Sequence, residues 1–399
     1  MPRPSDHREP GDRQLARELA VELERVGRAA GLDAFGIAPP GPLERARTAL
    51  EERKADGLHA GMAFTYRNPE RSTTPSRTLP GVRAIIVGAH RHASEVPAAP
   101  DAGGPAGRVA RYAWRDHYAE LRRALGEVAV ALRTAGHRAV VLADDNAIVD
   151  REVAHRAGLG WFGKNANLLL PGRGSWFVLG SVLTTAPLPP AEQPVADGCG
   201  ACRRCLDGCP TGAIVAPGVV DARRCLAWLV QKPGSFPRPY RESLHDRIYG
   251  CDDCQEVCPP NVRAGRHEPG AGAGAADDAD ETWVPLLDLL SVDDATLLAR
   301  HGRWYIANRE PRWLRRNALL ALGNVAEPTD RMVAGTLERY LAHEDPMLRA
   351  HAVWAVRRLG RVDLLTTVAG ETDPDVLDEL AGDGPRPRSS SMAGGAGRR

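Results

Sequence analysis

Eight cysteines constrain this chain of 399 residues more than any other feature, because all of them fall between Cys199 and Cys258. They come as Cys199, Cys202, Cys205 and Cys209, then Cys225 alone, then Cys251, Cys254 and Cys258. The first group reads C-x2-C-x2-C-x3-C-P and closes on Pro210; the last reads C-x2-C-x3-C-P and closes on Pro259. That spacing holds two [4Fe–4S] clusters, with the fourth cysteine of each run serving the other cluster. The crossing rule assigns Cys199, Cys202, Cys205 and Cys258 to one cluster. Cys209, Cys225, Cys251 and Cys254 then serve the other, with Cys225 standing upstream in place of the missing first member. Zinc would use isolated C-x2-C pairs and four ligands. Disulfides suit small secreted domains, whereas the N-terminus here is polar and lacks the apolar segment of a signal peptide.

Charge excludes little. The formal net charge is +1, so no global field points to nucleic acid, and a basic surface must be local. No apolar run reaches bilayer length. These features predict a protein of the reducing cytoplasm without a membrane segment.

Apolar periodicity predicts a helix over 13–30, a short strand over 34–38, a helix over 42–54 and a buried strand over 83–89. Further on it predicts a helix ending near Thr134 and a strand over 139–142 that stops at Asp144 and Asp145. A helix over 148–157, a loop over 161–167 and a strand from Ser175 towards Thr184 follow. Strands and helices mix without regular βαβ spacing, so the predicted class is α+β. Leu314–Gly323 resembles Leu348–Arg357, and each is preceded by a proline, Pro311 or Pro346, as a helix start would be. This suggests stacked helical pairs of HEAT type. The domains expected are 1–194, the double-cluster region 195–264, a linker over 265–281, a helical domain over 282–381 and a disordered tail over 382–399.

Clusters alone would make an electron carrier, yet long segments flank them on both sides, so electrons are expected to reach something bound by the N-terminal domain. No Gly-x-Gly-x-x-Gly follows a strand, and no Asp-x-His-x-x-Gly occurs. Asp144 ends a strand, where functional groups gather; equally, Asp144, Asp145 or Asn146 could simply cap the next helix. Lys164 could meet an anion or lie exposed in its loop. Arg111, Tyr112 and Trp114 could flank a planar ligand or serve packing.

Longer motifs then bring a family into view. Arg156-Ala-Gly-Leu-Gly-Trp-Phe-Gly-Lys-Asn165, Gly174-Ser-Trp-Phe-Val-Leu-Gly180, Asp221-Ala-Arg-Arg-Cys225 and Arg247-Ile-Tyr-Gly-Cys251, together with the cysteine runs, resemble the epoxyqueuosine reductases. These are similar in turn to corrinoid reductive dehalogenases. The resemblance implies an N-terminal cobalamin-binding domain, a ferredoxin-like double-cluster domain and a HEAT-like helical domain. It implies reduction of epoxyqueuosine to queuosine at the wobble base of tRNA, with cobalamin reduced through the two clusters. A ferredoxin or flavodoxin would donate electrons, and the chain would act as a monomer. Asp144 matches the proton donor by position, with Asp145 as its rival, although Ala143, Ala147 and Asp150 depart from the usual Val, Pro and Glu. Arg71, Trp114, Asp144, Lys164 and Asn165 match stretches around the corrinoid. Arg224, Arg315 and Arg316 are candidates for tRNA. Leu226-Ala-Trp-Leu-Val230 departs from the usual Ile-Ser-Tyr-Leu-Thr beside the substrate, which leaves open a divergent corrinoid reductase or a non-catalytic electron-transfer or tRNA-binding protein.

Overall fold

The computed structural model describes residues 10–92, 97–100, 104–266, 280–382 and 384. The expected linker and tail therefore lie for the most part outside the described residues. The chain mixes helix and sheet in two compact units, neither continuous in sequence. The first takes residues 1–95, 116–223 and 253–275; the second takes 96–115, 224–252 and 276–399.

The first unit is built on a four-stranded sheet. Its strands are β1 (Ala34–Ala38), β2 (Ala84–Arg91), β3 (Ala139–Ala143) and β4 (Phe177–Thr184). They lie in the order β1-β2-β4-β3, and every pairing is antiparallel. The apolar run of β2 faces protein on both sides. Ala84 and Ile86 point to one core with Leu23, Leu121, Leu125 and Leu132. Ile85, Val87 and Ala89 point to the other with Leu43, Ile148 and Val153. A period of two in a strand sends neighbours to opposite faces, so an unbroken apolar strand signals cover on both. The helices that give this cover are α1 (Pro10–Ala29), α2 (Glu44–Ala55), α3 (His117–Thr134) and α4 (Asp150–Arg156). Each fully buried leucine in these layers contributes about 1.5–3 kcal/mol.

Two departures from the sequence reading have local causes. The helix expected to start near residue 148 begins at Asp150, after Val149, which makes no side-chain cap. The loop over 161–167 is the tip of a hairpin, since Trp161 and Phe162 pair with Leu169 and Leu168. Strands of two residues carry too little alternation to be read from a sequence.

The second unit holds a three-stranded sheet in which Ala106–Val109 lies between Arg247–Tyr249 and Trp283–Pro285. Its helices are α5 (Leu286–Ser291), α6 (Asp294–His301), α7 (Arg312–Val325), α8 (Arg331–Leu341), α9 (Pro346–Arg358) and α10 (Pro374–Ala381). The two similar stretches noted above form α7 and α9, which pack on each other. Gly323 stands at their crossing: a Cβ there would meet the Ala355 Cα at 2.9 Å. Asp330, Asp345 and Asp373 cap α8, α9 and α10 with side-chain oxygens, which satisfies amides the helices leave unpaired.

Candidate functional site

Four of the eight cysteines come together within the first unit. Cys199, Cys202 and Cys205 precede a short helix, Arg204–Asp207, or lie on it, and Cys258 closes the last cysteine run. Cys258 is buried, and its thiol is pushed up to about 11 by burial, with further upward pushes from Cys205, Cys199 and Cys202. Burial, then Cys199 and Cys202, also raise the Cys205 thiol. Thiols that repel each other's charge in this way are a set that a cation would hold. Iron would replace the protons and turn mutual repulsion into shared ligation. Trp161 and Leu169 of the hairpin pack with Cys258 and Cys199, giving this set an apolar wall.

The hairpin tip also grips the cysteine loops. The Lys164 ammonium donates to the carbonyls of Gly200 (2.6 Å) and Cys202 (2.8 Å). The Asn165 amide donates to the Cys254 carbonyl at 3.2 Å and is itself buried. Ala166 takes a left-handed backbone (φ 63°) to close the tip. Behind Cys258, the buried Asn261 accepts from the Ser175 amide at 2.6 Å and donates to the Gln255 carbonyl at 2.9 Å. Asn261 carries no local sequence signal; its role comes from meeting Ser175, which is 86 positions away. Lys164→Met removes two charge-assisted bonds and one cation from the Cys199–Cys202 loop. For a partly exposed lysine this costs on the order of 1 kcal/mol. Iron is expected to leave this cysteine set several-fold faster under anaerobic chelation; an unchanged rate would show that Lys164 does not hold the loop.

Asp144 stands at the end of β3 with φ 54°, the left-handed region, and so turns the chain sharply out of the sheet. Asparagine and aspartate tolerate that conformation better than other residues with a Cβ. Its carboxyl still reaches solvent. Loss of hydration raises its pKa above the ordinary value, Arg122 opposes this, and Asp145 and Asp116 add to it. Because solvent remains, the push is modest until a ligand covers the group. The rival is engaged elsewhere: Asp145 accepts from the Ala147 amide at 2.8 Å in a turn, and neither aspartate caps α4. Asp150 lies deep beside them, its Oδ1 without a hydrogen-bond partner among the described residues. Burial, then the charge of Asp144, pushes its carboxyl well above the usual carboxylate range. Sequence reading noted Asp150 only as a departure; a short acid at a buried helix start was the available signal.

Ser72 Oγ donates to the Asn146 carbonyl at 2.6 Å, tying the Asp144 turn to the short helix Pro69–Ser72 that carries the exposed Arg71. The other residues singled out in the sequence belong to the second unit. Trp114 is a core residue of the second unit, 1% exposed, and its indole N–H donates to the Val109 carbonyl. That burial leaves it no face for a planar ligand. In the same unit Arg316 is 1% exposed and donates to the carbonyls of Lys232, Gly234, Leu229 and Val230. Arg315 bonds the Val292 carbonyl and pairs with Asp294. A guanidinium committed to four carbonyls has no donor face for a phosphate, so Arg316 works as a clamp. It holds Leu226–Val230, where Leu226, Trp228, Leu229 and Val230 are buried. The departure after Cys225 is therefore largely a change in packing. Arg224 is half-buried.

Two more cysteines lie in each unit. Cys209 Sγ accepts from the Ala213 amide at 3.2 Å in the first unit, which also contains Cys254. In the second, which contains Cys225 and Cys251, Gly250 immediately precedes Cys251. It has φ 72°, and a Cβ there would come within 2.4 Å of Ala110 Cβ. Asp252, on the other side of Cys251, is fixed by the Arg111 guanidinium at 3.0 Å and the Arg111 amide at 2.8 Å.

Comparison with known proteins adds to this geometry. Residues 198–261 match the family described as the 4Fe-4S double cluster binding domain. The epoxyqueuosine reductase of Bacillus cereus is 32% identical over 91% of this chain and 96% of its own. Among solved structures, an epoxyqueuosine reductase with an epoxyqueuosine-modified tRNA-Tyr stem loop is similar with a TM-score of 0.80 and 28% identity, covering 91% of this chain and 97% of that one. The Bacillus subtilis enzyme, in a structure with an aspartate catalytic loop swung out of the active site, is similar with a TM-score of 0.79 and 29% identity, covering the same shares.

Proposed function

This chain belongs to the epoxyqueuosine reductase family, and from that premise we propose that it reduces epoxyqueuosine to queuosine in tRNA. The observation that carries the reading is the match over nine-tenths of both chains, joined to a cysteine set suited to two iron–sulfur clusters. Removal of the epoxide oxygen consumes two electrons and two protons and releases water. Cobalamin supplies, when bound, the reduced centre at which the epoxide opens, and the clusters supply its electrons.

The chain's own residues have distinct parts. Cys199, Cys202, Cys205 and Cys258 hold one cluster; their mutual electrostatic influence supports the set. Cys209, Cys225, Cys251 and Cys254 hold the other, on the strength of the spacing alone. Asp144 delivers a proton to the leaving oxygen. Its free carboxyl, its raised pKa and its place on a sharp turn support it over Asp145, as does the aspartate catalytic loop of the Bacillus subtilis relative. Arg71, tied to that turn through Ser72, is the cation best placed to meet a cofactor side chain. Lys164 and Asn165 position the cluster loops. tRNA is the macromolecular substrate, as the stem-loop complex of a relative suggests. The paired helices α7 and α9 form a HEAT-like support, with 195–264 as the cluster domain between 1–194 and 282–381. The protein works as a cytoplasmic monomer fed by a ferredoxin or flavodoxin; no helix among the described residues is long and apolar enough to cross a membrane.

Expression of this chain in a bacterium lacking its own epoxyqueuosine reductase tests the reading. Queuosine is expected to reappear in hydrolysed tRNA. Persistent epoxyqueuosine, with the protein present at full length and carrying iron, would contradict it.

A further inference from the structure

Away from the cysteines and Asp144, the first unit carries a cluster of imidazoles with no part in the proposed reaction. His90 lies near the end of β2 and His92 just beyond it, two residues apart, so the extended chain presents them to one face. Parity places that face with Ala84 and Ile86, against α3. His117 opens α3, and Glu120 follows three residues on, which sets both on one side of the helix. One ligand atom from each of His90, His117 and Glu120 lies within 4.8 Å of the other two.

The His90 hydrogen bonds set the chemistry. Its Nδ1 lies 3.2 Å from the Gly31 carbonyl, which can only accept, so the tautomer protonated at Nδ1 is the one that satisfies this contact. Its Nε2 lies 2.7 Å from Glu120 Oε2. With the ring proton on Nδ1, Nε2 and the carboxylate are two acceptors facing each other, and a cation between them would satisfy both. A proton would explain this pair alone; a metal ion explains all three converging groups. A ring N–H given to a backbone carbonyl while the other nitrogen turns to a metal is the usual arrangement of a ligating histidine. Ligands at ~2.0–2.1 Å from zinc stand about 3.4 Å apart, a modest adjustment from the separations here. The buried His92 completes the surround, its ring 5.5 Å from that of His117 and 5.8 Å from that of Trp176. The amino end of α3 disfavours a cation. Glu120, the α3 cap Asp116 and Asp33, whose carboxylate is 3.9 Å from His90 Nδ1, supply the opposing charge.

We propose that His90, His117 and Glu120 form a binding site for a divalent cation of the zinc class, which pins the end of β2 to the start of α3. His90 at a strand end and the H-x-x-E pair at a helix start lie 27 positions apart in a single unit, and the site uses none of the cluster cysteines.

The test uses the full chain with both iron–sulfur clusters in place, dialysed anaerobically against zinc and then against zinc-free buffer. The expected result is one retained zinc per chain, with unchanged iron. Zinc-edge X-ray absorption should show a first shell of nitrogen and oxygen at ~2.0–2.1 Å and no sulfur at ~2.3 Å. His90→Asn and Glu120→Gln should each lower zinc retention at least tenfold while iron stays unchanged. Glu120 is half-exposed, so its amide variant tests the site even where the histidine variant fails to fold. No retained zinc in the parent protein would overturn the proposal. So would zinc with a sulfur shell, which marks cluster cysteines, or zinc that both variants retain.

Discussion

Asp144→Asn is expected to lower queuosine formation by about 10²–10⁴-fold, the usual contribution of a positioned general acid, while iron content and cobalamin binding stay at parent levels. Asparagine tolerates the left-handed backbone found at this position (φ 54°), so the variant tests the proton and not the turn. The pH dependence follows from the direction of the shift. Desolvation raises the Asp144 pKa above the ordinary aspartate value, and the donor is the protonated form. The rate should therefore fall as pH rises through that raised pKa, and a ligand covering the carboxyl should move the limb further up. The asparagine variant should lose the limb altogether. Asp145→Asn serves as the comparison. Its carboxyl accepts from the Ala147 amide in a turn, a bond the asparagine Oδ1 keeps, so the variant should change stability little and leave the limb in place. If Asp145→Asn removed the limb and Asp144→Asn did not, the assignment would be reversed.

Cys258→Ser is expected to reduce iron from about eight to about four atoms per chain and to abolish turnover, since a broken electron path leaves no slower route. That single change does not by itself reveal which cysteines act together. The double variant Cys199→Ser with Cys258→Ser does. If the two share a cluster, the second substitution removes nothing more, and about four iron atoms remain. If each run served its own cluster, the double variant would lose both clusters and nearly all iron. The mutual upward push among Cys258, Cys205, Cys199 and Cys202 predicts the first outcome.

The sequence was informative where chemistry is local and fell silent where it depends on distant partners. The cysteine spacing alone located the cluster region that the family comparison matches over 198–261. The β2 run was legible as a strand because apolar residues on both parities demand cover on both faces. Asp144 and Asp145 could not be separated by inspection; only the hydrogen bond to Ala147 and the left-handed turn distinguish them. Lys164 read as a loop lysine open to an anion, yet its ammonium is spent on carbonyls 36 and 38 positions away. Arg316 read as a candidate for contact with tRNA. Its burial against Leu229, Val230, Lys232 and Gly234 follows from tertiary packing of α7 that helical periodicity leaves open. Trp114 was similarly ambiguous, because an aromatic at a helix entry looks the same whether it lines a pocket or fills a core.

The central claim is that two-electron reduction of epoxyqueuosine takes place on this chain. Its most direct test is a single turnover under anaerobic conditions, with purified protein, bound cobalamin, a counted amount of reductant and tRNA containing epoxyqueuosine. Digested nucleosides should show queuosine rising in proportion to the electrons supplied, at two electrons for each epoxide lost. Oxidation of the reductant with the epoxide left intact would contradict the account.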